Sequence, residues 1–239
     1  RTPGSHTRRL DESRDASDSR RGEGAQVPVD SQITRRGPKH DLTAVVLMFH
    51  GGKPNSTEPV RSTSLSWLRL RLMQREISKE LAELGAATWL LRFGVRGWNA
   101  RAEGGPSPLV DARRALELVR AEHSGVPVVL LGHSMGARTA VAVAGDPAVT
   151  GVVALAPWLT PADPDGQLAG RHLIAAHAPT DRITRFGDTA AFVQRARSVA
   201  RSARMIDMGP LDHAMLRERE RWNRVALEST AEIIASPTL

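Results

Sequence analysis

Cysteine is absent from all 239 residues, and so is tyrosine. The first absence excludes a disulfide scaffold, a thiolate zinc site, an iron–sulfur cluster and a cysteine nucleophile. The second excludes a tyrosine acid, base or nucleophile. Long apolar runs are also missing. None approaches the roughly 18 to 20 residues that span a bilayer. The first forty residues are polar throughout and show no charged-then-apolar leader. These absences lead to the expectation of a cytoplasmic protein with no membrane partner. What remains, 41% apolar and 25% charged residues, is the composition of a globular chain with a sizeable core.

Lysine is scarce. Lys39, Lys53 and Lys79 are the three lysines among 33 basic residues, and the rest are arginine. The formal charge of +7 raises the question of a nucleic-acid partner. The distribution argues against one. Residues 1–40 hold nine basic and six acidic side chains, and residues 41–239 hold 24 and 20, so no concentrated basic stripe exists in the body. Residues 1 to about 40 read as a disordered, Arg-rich tail dominated by Gly, Ser, Asp, Arg and Pro, followed by one domain over 41–239. Within the tail, Val27, Val29 and Ile33 alternate loosely, as one edge strand would.

The body alternates between short apolar runs and helical spacings. Ala44–Phe49, Ala87–Phe93, Val126–Leu131, Val152–Leu155, Leu173–Ala176 and Met205–Ile206 read as strands. Between the first two, Leu65, Leu68, Leu72, Ile77, Leu81 and Leu84 recur at mostly helical spacing, with Ser64 placed to cap and Gly85 to stop the helix. Ser107-Pro108 opens a second helix that ends near Gly125. Further helices are expected over 137–144, 189–200 and about 214–235. This order predicts an α/β fold: a mostly parallel sheet with helices on both faces and its chemistry on loops at the carboxyl ends of strands.

One such loop is Gly132-His-Ser134-Met-Gly136, a G-x-S-x-G pentapeptide with an apolar strand running in and a helix former running out. A sharp strand-to-helix turn strains its central residue. It leaves no room for side chains two positions to either side, where glycine stands. The sequence here resembles the α/β-hydrolase superfamily over about residues 41–239. That resemblance implies a nucleophile, acid and base in the chain order Ser, Asp or Glu, His. Ser134 then corresponds to the nucleophile. Asp181, in His177-Ala-Pro-Thr-Asp181-Arg-Ile, corresponds to the acid, with Asp163 and Asp165 as rivals one loop earlier. Ala178 stands where relatives carry glycine. His213 is the one histidine beyond Asp181 and corresponds to the base, although Leu211 and Asp212 replace the usual glycine before it.

His50-Gly51-Gly52 resembles the family's oxyanion loop. The resemblance implies a donor from Gly52, or from Lys53, paired with the backbone N–H of Met135. At other strand ends Trp98, with Arg96 beside it, and Trp158 are candidate walls of a substrate site. His133 is expected to shape the site without moving protons. His172 and His177 read as structural histidines at strand ends. No His/Asp/Glu grouping has metal-ligand spacing, and no G-x-G-x-x-G follows the first strand, so neither metal nor cofactor is expected. The short 156–172 segment, rich in Pro, Asp and Gly, predicts a minimal lid. Together these expectations describe a serine hydrolase, a carboxylesterase that acts on small acyl esters, with a thioesterase, a peptidase or amidase, or a non-catalytic binding protein as the alternatives on one fold.

Overall fold

The computed structural model describes residues 32–102 and 105–236. Seven strands form one sheet in the order β1-β3-β2-β4-β5-β6-β7. They are β1 (Ile33–Arg36), β2 (Ala44–Phe49), β3 (Ala86–Leu91), β4 (Val128–His133), β5 (Val149–Leu155), β6 (His172–His177) and β7 (Ser202–Asp207). β1 pairs antiparallel with β3, and every other pairing is parallel. The helices are α1 (Leu65–Glu83), α2 (Ser107–Glu122), α3 (Met135–Val143), α4 (Phe186–Ala196) and α5 (Arg219–Ala235). β2, β3 and β4 are buried at every residue. A strand can be apolar throughout only where both sheet faces are covered, which is why these segments read as continuous apolar runs. α1 packs on α5, and α2 packs on α3.

The sheet begins before residue 41. β1 takes Ile33 from the anticipated edge strand and sets Ile33 opposite Leu91 and Arg36 opposite Thr88, so the sheet starts eight residues before position 41. Charged side chains suit this place, because an edge strand with arginines resists pairing with other chains. Val27 and Val29, with the rest of the expected tail up to residue 31, lie outside the described residues.

Element ends follow local chemistry. Gly85 (φ +76°) closes α1 and Gly125 (φ +79°) follows α2, each in the left-handed region. Ser64 occupies the N-cap of α1, but its hydroxyl accepts the Arg61 N–H at 3.0 Å instead of a helix amide. α3 starts at Met135, two residues before the expected Ala137, because the turn enters the helix directly after Ser134. α5 starts at Arg219 rather than near 214, since residues 208–218 form a loop. The β5–β6 connection contains one three-residue 3₁₀ turn, Gly166–Leu168, and no larger lid.

Parallel register brings the ends of five strands to one edge. Phe49 lies opposite Gly132, His133 opposite Leu155, Leu155 opposite Ala176, and His177 opposite Asp207. The loops that follow β2, β4, β5, β6 and β7 therefore emerge side by side.

Candidate active site

Ser134 follows β4 with φ 54° and ψ −116°, a backbone conformation that a non-glycine residue rarely adopts. The turn is tied on both sides. Ser134 N–H donates to the Leu155 carbonyl at 3.0 Å, and the Ser134 carbonyl accepts N–H groups from Ala137, Arg138 and Trp158 at 3.1 to 3.2 Å. The two flanking glycines have steric reasons. A Cβ on Gly132 would overlap Ala137 and the Gly136 carbonyl, and a Cβ on Gly136 would overlap the carbonyls of Phe49 and His50.

His213 lies in the loop after β7, with Nε2 3.0 Å from Ser134 Oγ and Nδ1 2.7 Å from Asp181 Oδ2. Nδ1–H must donate to the carboxylate, which leaves Nε2 to accept the serine proton. The departures in this loop have identifiable tasks. Leu211 is buried, and its carbonyl accepts the Thr180 hydroxyl at 3.0 Å. The Asp212 carboxylate accepts the N–H groups of Leu216 and Arg217 at 3.2 and 2.9 Å. Met215 has φ +57°, and its carbonyl accepts Nε–H of the buried Arg69 at 2.9 Å. Arg69 had no sequence signal, because it lies on α1, 144 positions before His213.

Asp181 is enclosed in the loop after β6. Burial alone would raise its carboxyl. Hydrogen bonds from His177, His213 and the amides of Ile183 and Thr184 outweigh that and hold it well below the usual carboxylate range. Ala178 stands where a glycine was expected, and its backbone is not left-handed, so the loop has no need of glycine there. Of the rival acids, Asp163 accepts Nε–H of Arg138 at 2.9 Å and the Thr160 N–H at 2.7 Å, while Asp165 pairs with Arg195. Neither meets His213.

The His50–Gly52 loop leaves β2 beside this turn. Gly51 approaches Ser134 so closely that a Cβ there would lie 3.5 Å from the serine Cβ and 3.1 Å from His133 Nδ1. A Cβ on Gly52 would overlap the Met135 side chain and the Arg96 carbonyl. Among the described residues, the N–H groups of Gly52 and Met135 have no hydrogen-bond partner, whereas Lys53 N–H donates to the Arg96 carbonyl at 2.8 Å. The alternative donor Lys53 is therefore spent. His50 fixes the loop: Nδ1–H donates to the Gly51 carbonyl at 2.7 Å and Nε2 accepts Phe93 N–H at 3.2 Å, which defines a neutral tautomer. Burial pushes His50 down to about 4. Burial, then the neighbouring His213, pushes His133 down to about 3. His133 Nε2–H donates to the His213 carbonyl at 2.8 Å, so it holds the loop that carries His213.

Trp98 and Trp158 meet edge to face, 6.2 Å between centroids, with the Arg138 guanidinium 4.4 and 4.7 Å from their rings. Trp98 N–H donates to the Lys53 carbonyl beside the Gly52 loop. The pair thus spans from the Gly52 loop to the Ser134 turn. Arg96 instead pairs with Glu58. His172 is at the opposite end of β6, with Nδ1 2.8 Å from Ser202 Oγ, away from the other residues. Among the described residues, no three His, Asp or Glu side chains are grouped to hold a metal, and no helix is long and apolar enough to cross a membrane.

A parallel sheet with an elbow serine at a central strand end, and His and Asp brought to it from later loops, defines the class of α/β hydrolases. The chain belongs to the alpha/beta hydrolase family, whose profile matches residues 46–234. Solved structures of the same fold include an α/β serine hydrolase homologue from Coxiella burnetii, 19% identical, covering 82% of this chain and 90% of that one, TM-score 0.62. An α/β serine hydrolase without a lid from Xanthomonas campestris is 17% identical, covering 86% and 90%, TM-score 0.61. The propionate-bound esterase Est2 of Thermogutta terrifontis is 14% identical, covering 87% and 91%, TM-score 0.63. No curated protein matches the sequence.

Proposed function

We propose that the protein is a serine carboxylesterase acting on small acyl esters. The observation that carries this reading is the unbroken line Ser134 Oγ, His213 Nε2, His213 Nδ1, Asp181 Oδ2, with steps of 3.0 and 2.7 Å across its hydrogen bonds. Ser134 Oγ attacks the acyl carbon as its proton passes to His213 Nε2. The N–H groups of Gly52 and Met135 receive the oxyanion, each worth about 3 to 4 kcal/mol in the transition state. His213 returns the proton to the departing alkoxide, and the alcohol leaves. Water then repeats the sequence: its proton goes to His213, its oxygen bonds to the acyl carbon, and the acid departs as Ser134 regains a proton. Asp181 orients the imidazole and stabilises its charged form.

The preference for small acyl groups rests on Trp98 and Trp158, pinned by Arg138, and on the short β5–β6 connection, which supplies no large apolar shield. Labelling with a fluorophosphonate probe and hydrolysis of p-nitrophenyl acetate, butyrate and octanoate test the proposal. The native chain is expected to be labelled and to prefer acetate or butyrate. Ser134→Ala is expected to abolish labelling and lower kcat by at least about 10³-fold. A folded native chain that neither labels nor hydrolyses these esters overturns it.

A further inference from the structure

Asp181 has more partners than the orientation of His213 requires. Oδ1 accepts the N–H groups of Ile183 and Thr184 at 2.7 and 3.0 Å. Oδ2 accepts the Thr184 hydroxyl at 2.8 Å as well as Nδ1–H of His213. A second imidazole ends on the same oxygen: His177 Nε2–H donates to it at 3.1 Å. His177 is the last residue of β6 and is 0% exposed. Its other nitrogen, Nδ1, lies 2.8 Å from Thr189 Oγ1 on α4, and the Phe186 ring of that helix tilts against it at 5.8 Å. With both nitrogens engaged and no exposed surface, this ring cannot turn without stranding buried polar atoms.

Apart from His213, the donors to Asp181 fall into two groups. Ile183 and Thr184 belong to the same loop as the acid and move with it. His177 belongs to the sheet, and Thr189 ties it to a helix. We propose that His177 is a positioning residue for the reaction: it anchors Asp181 Oδ2 to β6 and α4, and through that oxygen sets the imidazole of His213. It acts on the acid and does not touch substrate. The inference rests on the serine-hydrolase reading and extends its three residues by a fourth.

The test compares His177→Leu, His177→Gln and Thr189→Val for hydrolysis of p-nitrophenyl acetate, with Tm measured for each. A displacement of order 1 Å at a reacting group costs roughly 10²-fold, so His177→Leu is expected to lower kcat by about 10- to 100-fold with KM nearly unchanged. His177→Gln, whose amide nitrogen reaches the position of Nε2, is expected to restore most of the loss. Thr189→Val leaves the donor but frees the ring, and a smaller loss of roughly threefold or more is expected, again on positional grounds. Combined with Asp181→Asn, His177→Leu is expected to add nothing, because its route runs through the acid. An unchanged kcat in His177→Leu, or an undiminished further loss in the Asp181→Asn background, overturns the proposal. Should His177→Leu fail to fold, an unchanged kcat in Thr189→Val overturns it instead. A native chain whose hydrolysis depends on Ser134 but not on His177 removes this inference alone; a native chain that is inert removes it together with the esterase reading.

Discussion

Ser134 is held by backbone alone, whereas His213 and Asp181 are held largely by side chains, with the Ile183 and Thr184 amides added on Asp181. Around Ser134 the constraints are two glycines with no room for a Cβ and a set of main-chain hydrogen bonds to the residues just after it and to Leu155 and Trp158. Around His213 and Asp181 the side chains that hold are Thr180, His133, Arg69, Asp212, His177 and Thr184, drawn from α1, β4, β6 and the loops after β6 and β7. The contrast teaches that one region is defined by sterics, which nothing but a change of shape can disturb. The other is defined by polar and titratable groups, which pH and single-atom substitutions can disturb. A hydrolase site needs both: a nucleophile that does not drift, and a proton path whose basicity is set by its surroundings.

The largest expected effect breaks the steric half. Gly136→Ala places a methyl group on the carbonyls of Phe49 and His50, which belong to a fully buried strand and its exit and cannot yield. A loss of about 3 kcal/mol or more is expected, at the upper end of overpacking costs, read as a lower urea midpoint. A variant with native stability would show the turn to be looser than its geometry implies.

Acid probes the polar half next. Burial holds His50 and His133 down to about 4 and about 3, both below the ordinary imidazole value of 6.5. Above pH 6.5 each is neutral in both states and stability is complete. Below it, the unfolded chain binds protons that the folded chain refuses, so stability falls as pH drops from 6.5 towards 4. Each histidine adds up to one proton to the slope of that fall. Asp181 acts in the same direction lower down, since its depressed carboxyl stabilises the fold above about pH 4 and loses that effect on further acidification. Urea midpoints measured from pH 8 to 4 are expected to be flat above pH 7 and to descend below 6.5. His133→Gln, which keeps a donor for the His213 carbonyl, is expected to flatten the descent by up to one proton. A profile level down to pH 4.5 would contradict the buried neutral state of both rings.

The smallest effect separates the two halves. Arg69→Met removes the donor to the strained Met215 carbonyl and the bond to Asn223 at 3.2 Å, while leaving the Ser134 turn intact. A loss of about 1.5 to 3 kcal/mol is expected for a buried charged hydrogen bond, together with a fall in kcat. Fluorophosphonate labelling at saturating probe is expected to remain complete. Loss of labelling in a folded variant would show that Ser134 depends on the His213 loop and is not held by its own turn alone.

Much of the fold was legible because it rests on local pattern. Apolar runs at 44–49 and 87–93 marked doubly covered strands, and the glycine spacing around Ser134 marked a turn that sterics demand. Edge strand β1 was poorly legible. Ile33-Thr-Arg-Arg36 has little apolar alternation, and its pairing comes from β3 offering a free edge. The starts of α3 and α5 shifted for a related reason, as loop geometry rather than propensity decided where helical hydrogen bonding begins. At the site, the ordering of Ser134, Asp181 and His213 narrowed the candidates but left Asp163 and Asp165 open. Which carboxylate meets His213 is visible only in the structure, where Arg138 and Arg195 occupy the rivals.

The sequence by itself determined the alternation of strand and helix, the elbow and the absence of any thiol or tyrosine chemistry, because each depends on residue types at short separation. Tertiary structure alone decided that His177 shares an oxygen with His213, that Arg69 reaches across 146 positions to Met215, and that Trp98 and Trp158 flank Arg138. These contacts join segments that come together at the sheet's carboxyl edge only after the parallel register has formed. No local periodicity encodes which polar side chains will meet there.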